Sequence, residues 1–195
     1  MKNNLYQIHI LLKHSKPRIW RRILINADDP MENLHNAIQL TMGWIDCHLH
    51  EFRIGEKAYC PKYDEDLIDW DDSYMLDYKK LKILDFLKKP NDRILYEYDF
   101  GDGWEHEIKL EKIFDADGKL LLPLCIKGKM NCPPEDSGGI WGYYHILEAI
   151  SDSEHEMHQE YKEWMDPDFD PEYFDIEEAN AQLIGNFIDN MDDPI

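Results

Sequence analysis

Tyr96-Glu97-Tyr98-Asp99-Phe100-Gly101-Asp102-Gly103-Trp104-Glu105-His106-Glu107-Ile108 is the stretch whose reading decides the fold. Aromatic and acidic residues alternate, Gly-Asp-Gly interrupts them, and the alternation resumes. That is the pattern of two antiparallel strands joined by a tight turn. The second strand sends Trp104, His106, Ile108 and Leu110 to one face and Glu105, Glu107, Lys109 and Glu111 to the other. The charged set faces water, so His106 stands among apolar neighbours. A polar group placed there needs a hydrogen-bond partner or a chemical role.

Working outward, residues 5–13 and 18–26 alternate as two further strands around His14-Ser15-Lys16-Pro17. In the second of them Ile19, Arg21, Ile23 and Ile25 share a face. Asp28 and Asp29 offer capping groups before Pro30, and Met31, Leu34, Ile38 and Met42 recur at helical spacing up to Gly43. A strand is expected at 48–54, with a short partner at 57–60. The acidic, aperiodic stretch 61–78 reads as a surface loop. A short amphipathic helix runs through Leu81, Leu84 and Leu87, and Asp115-Ala116-Asp117-Gly118 marks a turn. A looped strand region follows at 119–138. Helices are expected from Gly139 to about Ile150, at 155–165 and at 176–190.

Strands in the first two thirds and helices in the last third predict an α+β fold. The sheet should be mainly antiparallel because short turns join its strands, with helices packed on it from 30–42 and from the carboxy-terminal third. The 195 residues fit a single domain, with an acidic loop at 61–78 and an acidic helical region at 139–192.

The net charge is −20, unevenly spread. Residues 1–60 carry 8 basic and 6 acidic groups, residues 61–150 carry 12 and 20, and residues 151–195 carry 1 and 15. A phosphate-gripping protein shows a basic footprint, so no nucleic-acid partner is expected. No apolar run approaches the ~20 residues of a membrane helix, and no signal core precedes the first strand, so the expectation is a cytoplasmic protein without a membrane partner. A basic protein is the partner that the acidic carboxy-terminal helices would suit.

Strand parity gathers polar groups on apolar faces. His48 and His50 share the side of Phe52 and Ile54, Arg21 that of Ile23, and His106 that of Trp104. Four such groups predict a shared polar pocket in which Arg21 pairs with a carboxylate, since a lone buried charge costs several kcal/mol. Asp99, Asp102, Glu135 and Asp136 are the acids placed to complete it. Cys125 and Cys132 could join His48 and His50 as a zinc-type set, although their spacing matches no standard ligand motif; two structural thiols are the competing reading. Asp166-x-Asp168-x-Asp170 has calcium-loop spacing but meets Pro171 where that loop needs glycine. Ser137, before Gly138-Gly139, reads as a helix cap.

Pro17-Arg18-Ile19-Trp20-Arg21-Arg22, Leu34-His35, Met42-Gly43-Trp44, His48-Leu49-His50-Glu51-Phe52, Tyr98-Asp99-Phe100-Gly101-Asp102, Cys132-Pro133-Pro134-Glu135-Asp136 and Phe169-Asp170-Pro171-Glu172 stand in an order that resembles the Ri-plasmid ORF-3-like family. The resemblance spans about residues 5–185. It implies kinship with plasmid-borne and transposon-borne proteins, some with names suggesting a resolvase. This sequence shows neither a basic arm nor a serine-recombinase motif. The family pattern covers His48, His50, Asp99, Asp102, His106, Cys125, Cys132, Glu135 and Asp136.

The sequence therefore points to a polar pocket that binds a small ligand, metal or peptide. Two alternatives stand beside it, the first on the same pocket residues and the second on the acidic carboxy-terminal helices. One is a metal-assisted hydrolase using His48, His50, Asp99 and Asp102, with His106 as acid or base. The other is an acidic protein-interaction module.

Overall fold

A computed structural model describes residues 4–62, 74–115 and 120–192. The strands are β1 (Asn4–Leu12), β2 (Trp20–Asn26), β3 (His50–Ile54), β4 (Lys57–Cys60), β5 (Met75–Asp77), β6 (Arg93–Tyr98), β7 (Trp104–Asp115) and β8 (Leu124–Lys129). The helices are α1 (Met31–Met42), α2 (Ile83–Phe86), α3 (Gly139–Ser151), α4 (His158–Trp164) and α5 (Ile176–Asp192). All eight strands form one sheet in the order β5-β4-β3-β6-β7-β1-β2-β8. Every pairing is antiparallel except β4 with β5. The fold is α+β, as the run of strands before helices predicts.

The central hairpin pairs Tyr98 with Trp104 and Tyr96 with His106. Its inner face, Tyr96, Tyr98, Trp104, His106, Ile108 and Leu110, is buried. Ile8, Ile10 and Leu12 of β1 and Arg21, Ile23 and Ile25 of β2 continue the same buried layer. The outer face carries partly exposed pairs: Lys13 with Glu105 at 2.6 Å and Arg22 with Glu111 at 2.6 Å. Period-two alternation thus sorts each strand into a dry and a wet side.

Helix α1 lays Met31, Leu34, Ala37 and Ile38 on the dry side. Gly43 ends it in the left-handed region at φ 93°, where its N–H donates to the Gln39 carbonyl at 2.9 Å. Helix α5 packs against α1 and β8, and α3 against α4. Among the described residues, no helix is long and apolar enough to cross a membrane.

Several local expectations are corrected. Asp28 and Asp29 do not cap α1, which has no side-chain cap; Asp28 instead pairs with Lys82 at 3.0 Å. Strand β3 begins at His50, so His48 lies in the preceding loop, outside the ladder. The stretch expected as loop at 61–78 contains β5, which the parallel pairing with β4 holds; its residues 63–73 lie outside the described residues. So do residues 116–118 of the expected turn. Ser137 is not the cap of α3, which Gly138 opens; its hydroxyl donates to the Pro134 carbonyl at 2.7 Å.

Candidate functional site

Three connections meet at one end of the central hairpin: residues 43–49 before β3, the turn 99–103, and residues 130–138 before α3. Side chains from each satisfy backbone groups of the others. The Trp44 indole N–H donates to the Pro133 carbonyl at 3.0 Å, and the Ile45 amide donates to Glu135 Oε1 at 3.2 Å. The Tyr98 hydroxyl accepts from the Cys47 amide at 3.0 Å and donates to Glu135 Oε1 at 2.7 Å. Asp102 Oδ2 accepts from the Gly138 amide at 3.1 Å. Asp99 Oδ1 accepts from the Gly101 amide at 2.9 Å, which fixes the turn. Gly139 makes the docking possible: at φ 69°, a Cβ there would stand 2.3 Å from the Asp102 carbonyl oxygen.

His48 occupies the junction. Its Nε2 lies 3.4 Å from Asp136 Oδ1 and 3.7 Å from Asp99 Oδ2, and its ring meets Tyr98 edge-on. That nitrogen is buried and lacks an aligned hydrogen bond, so these are proximities, not bonds. Cys47, His48 and Glu135 form a second overlapping group, with the Cys47 thiol donating to Glu135 Oε2 at 3.0 Å. That bond to a carboxylate, with a smaller effect of burial, raises the Cys47 pKa. Asp99 and Asp136 both adopt positive φ, at 55° and 58°. Aspartate tolerates this region better than most residues, and such conformations cluster at functional sites.

His50 belongs to a separate array. Its ring stacks on His35 with centroids 3.6 Å apart and planes 9° apart, and its Nε2 meets the Tyr78 hydroxyl at 2.7 Å. His35 Nε2 lies 3.0 Å from Asp46 Oδ1, and its Nδ1 meets the Tyr96 hydroxyl at 2.8 Å. Burial, then the neighbouring His35, pushes the His50 pKa down to about 2. His35, Asp46 and His50 are close enough to be considered as metal ligands. Parallel stacking opposes that. Imidazole lone pairs lie in the ring plane, and an ion midway between the rings would lie about 1.8 Å out of each plane, against a bond of about 2.1 Å. His35, Asp46, His48, His50 and Tyr78 all line one cleft of about 610 Å3.

The residues expected to share a pocket therefore divide. His48, Asp99, Asp102, Glu135 and Asp136 come together. His50 joins His35 in the neighbouring array. His106 is fully buried: its Nδ1 donates to the Trp104 carbonyl oxygen at 3.0 Å, its Nε2 meets no aligned hydrogen-bond partner, and the ring packs against Trp44 and Tyr96. Burial lowers its pKa to about 3. Enclosed in that way, it is out of reach of a ligand as acid or base.

Arg21 is buried as parity predicts, but it meets no carboxylate among the described ion pairs. Its Nε donates to the Thr41 carbonyl at 2.6 Å and its NH1 group to the carbonyls of Trp20, Lys129 and Met130 at 3.0–3.1 Å. The Phe174 ring covers the guanidinium at 4.1 Å. Thr41 is in the last turn of α1, whose carbonyls carry partial negative charge. Carbonyl dipoles thus replace the expected counterion, and burial lowers the guanidinium pKa.

Cys125 and Cys132 are buried in the core beside Arg21 and do not group with His48 or His50 as ligands. The residues that the sequence reading missed are His35, Asp46, Cys47, Tyr78 and Tyr98. Of these, His35 and Tyr98 stand inside the ordered family blocks, which was the one signal available for them.

The pattern of the plasmid pRiA4b ORF-3-like protein family matches residues 4–178. An uncharacterised protein, y4hQ, of Sinorhizobium fredii (strain NBRC 101917 / NGR234) is 34% identical over 192 residues, covering 98% of this chain and 94% of that protein. The crystal structure of MM3350, a protein of unknown function from Methanosarcina mazei Go1, superposes with a TM-score of 0.79 at 37% identity, covering 91% of this chain and 98% of that one.

Proposed function

This chain belongs to the plasmid pRiA4b ORF-3-like protein family, and from that premise we propose that it binds a divalent metal ion between His48, Asp99 and Asp136. The observation that carries the reading is the spacing about His48 Nε2. Hydrogen-bonded N–H···O pairs stand about 2.7–3.2 Å apart. Two ligands about 2.1 Å from a common ion at octahedral to tetrahedral angles stand about 3.0–3.4 Å apart. The separations of 3.4 and 3.7 Å lie nearer the second arrangement. The buried nitrogen faces two carboxylates without a hydrogen bond, which a cation between them would resolve.

One imidazole and two carboxylates form a mixed N/O set suited to a first-row divalent ion such as zinc. Three protein ligands leave coordination positions open. His48 also lines the 610 Å3 cleft, so a small ligand entering there could reach the ion. That opening favours one second reading, metal-assisted hydrolysis, in which the ion polarises a bound ester, amide or phosphate.

Elemental analysis of untagged protein, before and after chelation and zinc reloading, tests the proposal. We expect about one equivalent of metal, lost in His48→Ala and Asp136→Asn. It should be retained in His50→Gln and in the double variant Cys125→Ser, Cys132→Ser. Wild-type protein that takes up no metal, or His48→Ala protein that keeps it, refutes the reading.

A further inference from the structure

The far side of Asp136 borders a second depression, distinct from the 610 Å3 cleft. It is a groove of about 380 Å3 between α3 and α4, walled by Asp136, Gly142, Ile146, Glu160, Tyr161 and Trp164. Gly142 lets the start of α3 approach the preceding loop, because a Cβ there would stand 2.1 Å from the Ser137 carbonyl oxygen. The buried Ile146 supplies an apolar floor, while Trp164 remains 45% exposed along one wall. Carboxylates of Asp136 and Glu160 complete the lining.

Two features around the groove point to its occupant. Trp141, on the solvent side of α3, is 73% exposed. A tryptophan this open forgoes a large apolar burial that a partner would recover. The segment that carries α4 is also acidic: residues 151–165 hold Asp152, Glu154, Glu156, Glu160 and Glu163 against the single basic Lys162. Aromatic faces beside carboxylates recognise a lysine or arginine side chain, through the ring quadrupole and through the acidic field.

We infer that the groove between α3 and α4 docks a basic peptide segment of another protein, with one lysine or arginine side chain against Trp164 between Asp136 and Glu160. The apolar floor holds the methylene stem of that side chain and the carboxylates meet its charge. The same field disfavours nucleic acid.

The test uses a fluorescently labelled peptide of alternating lysine, arginine and alanine, with the 195-residue chain in chelator so that the result is independent of the metal reading. Anisotropy should show binding that weakens steeply with salt. It should weaken about tenfold in Trp164→Ala and severalfold in Glu160→Gln, be restored in Trp164→Phe, and be unchanged in Glu56→Gln on the β3–β4 turn. Melting temperatures identify any variant that fails to fold, and the exposed Glu160 keeps the test decisive if Trp164→Ala does. Binding that ignores Trp164→Ala in folded protein overturns the proposal. So does spermine binding as tightly as the peptide, which would mark a diffuse acidic surface, and so does an absence of binding.

Discussion

The Tyr98 hydroxyl donates to Glu135 Oε1 at 2.7 Å across the junction between the central hairpin and the loop before α3. The same hydroxyl accepts from the Cys47 amide, so one oxygen ties three segments together. Burial first, then the bond to Glu135, raises its pKa, and the group remains a neutral phenol that can donate.

Tyr98→Phe removes that oxygen and leaves a partly buried carboxylate and a backbone N–H each short of a partner. The expected loss is about 1–3 kcal/mol of stability, read from urea unfolding. If the metal reading holds, affinity for zinc falls about tenfold as well, because Glu135 and Cys47 support the loops that carry His48 and Asp136. Unchanged unfolding in the variant would show that the junction is held elsewhere.

Acid should destabilise the protein through its buried imidazoles. Folded-state pKa values of about 2 for His50 and about 3 for His106 lie below the value of about 6.5 for an unfolded histidine. Between those limits the unfolded chain binds protons that the folded protein does not. The stabilisation is therefore complete above about pH 6.5 and is lost as pH falls toward the folded values, by roughly 1.4 kcal/mol per pH unit for each histidine. Glu111, held at about 2 by its bond to Arg22, loses its share in the same direction at lower pH. Urea midpoints should fall steadily below about pH 6.5, with a shallower slope in His50→Gln. A flat profile down to about pH 4.5 would contradict the burial of both rings.

Two glycines with nearly equal backbone angles should respond differently to alanine. Gly103 has φ 66° with open space around a built Cβ, whereas Gly139 has φ 69° with the Asp102 carbonyl oxygen 2.3 Å away. Gly103→Ala bears only the left-handed penalty, about 1–2 kcal/mol. Gly139→Ala adds a clash with backbone that cannot rotate aside, and should lose at least about 3 kcal/mol or fail to fold. Thermal melting of the pair decides it, and equal losses would mean that the hairpin turn and the start of α3 can separate freely.

The thiols should fall into two classes. Cys47 is exposed, while Cys60, Cys125 and Cys132 are buried. Burial pushes Cys60 and Cys132 up to about 12, and it raises Cys125 too. Native protein should present a single thiol to a water-soluble disulfide reagent. Its reaction should be slower than that of a free cysteine, because the bond to Glu135 raises the Cys47 pKa. Unfolding should release the rest, and rapid native reaction of more than one thiol would contradict this arrangement.

Alternation was enough to identify the central hairpin, to bury Arg21 and His106, and to direct the charged residues of β7 to water. Each of those statements follows from a period of two along one strand, which is local information. The order of the family blocks added which residues belong together without saying how. His48 shows the limit of parity: the ladder begins two residues later, so the alternation that would put it on the face of His50 does not reach it.

Which buried polar group meets which was decided by tertiary structure alone. Strand order brings β3 beside β6 and places β1 between β7 and β2, which separates His50, His106 and Arg21 although all three face inward. Arg21 found carbonyls because α1 ends above it, and a helix terminus supplies negative dipoles that no residue type announces. The group around His48 assembles from three loops about 35–50 residues apart in sequence, joined by hydrogen bonds such as Cys47 to Tyr98 and Tyr98 to Glu135. Local sequence determines which way a side chain points, because backbone geometry sets it. Its partner depends on long-range chain closure, which only the folded packing settles.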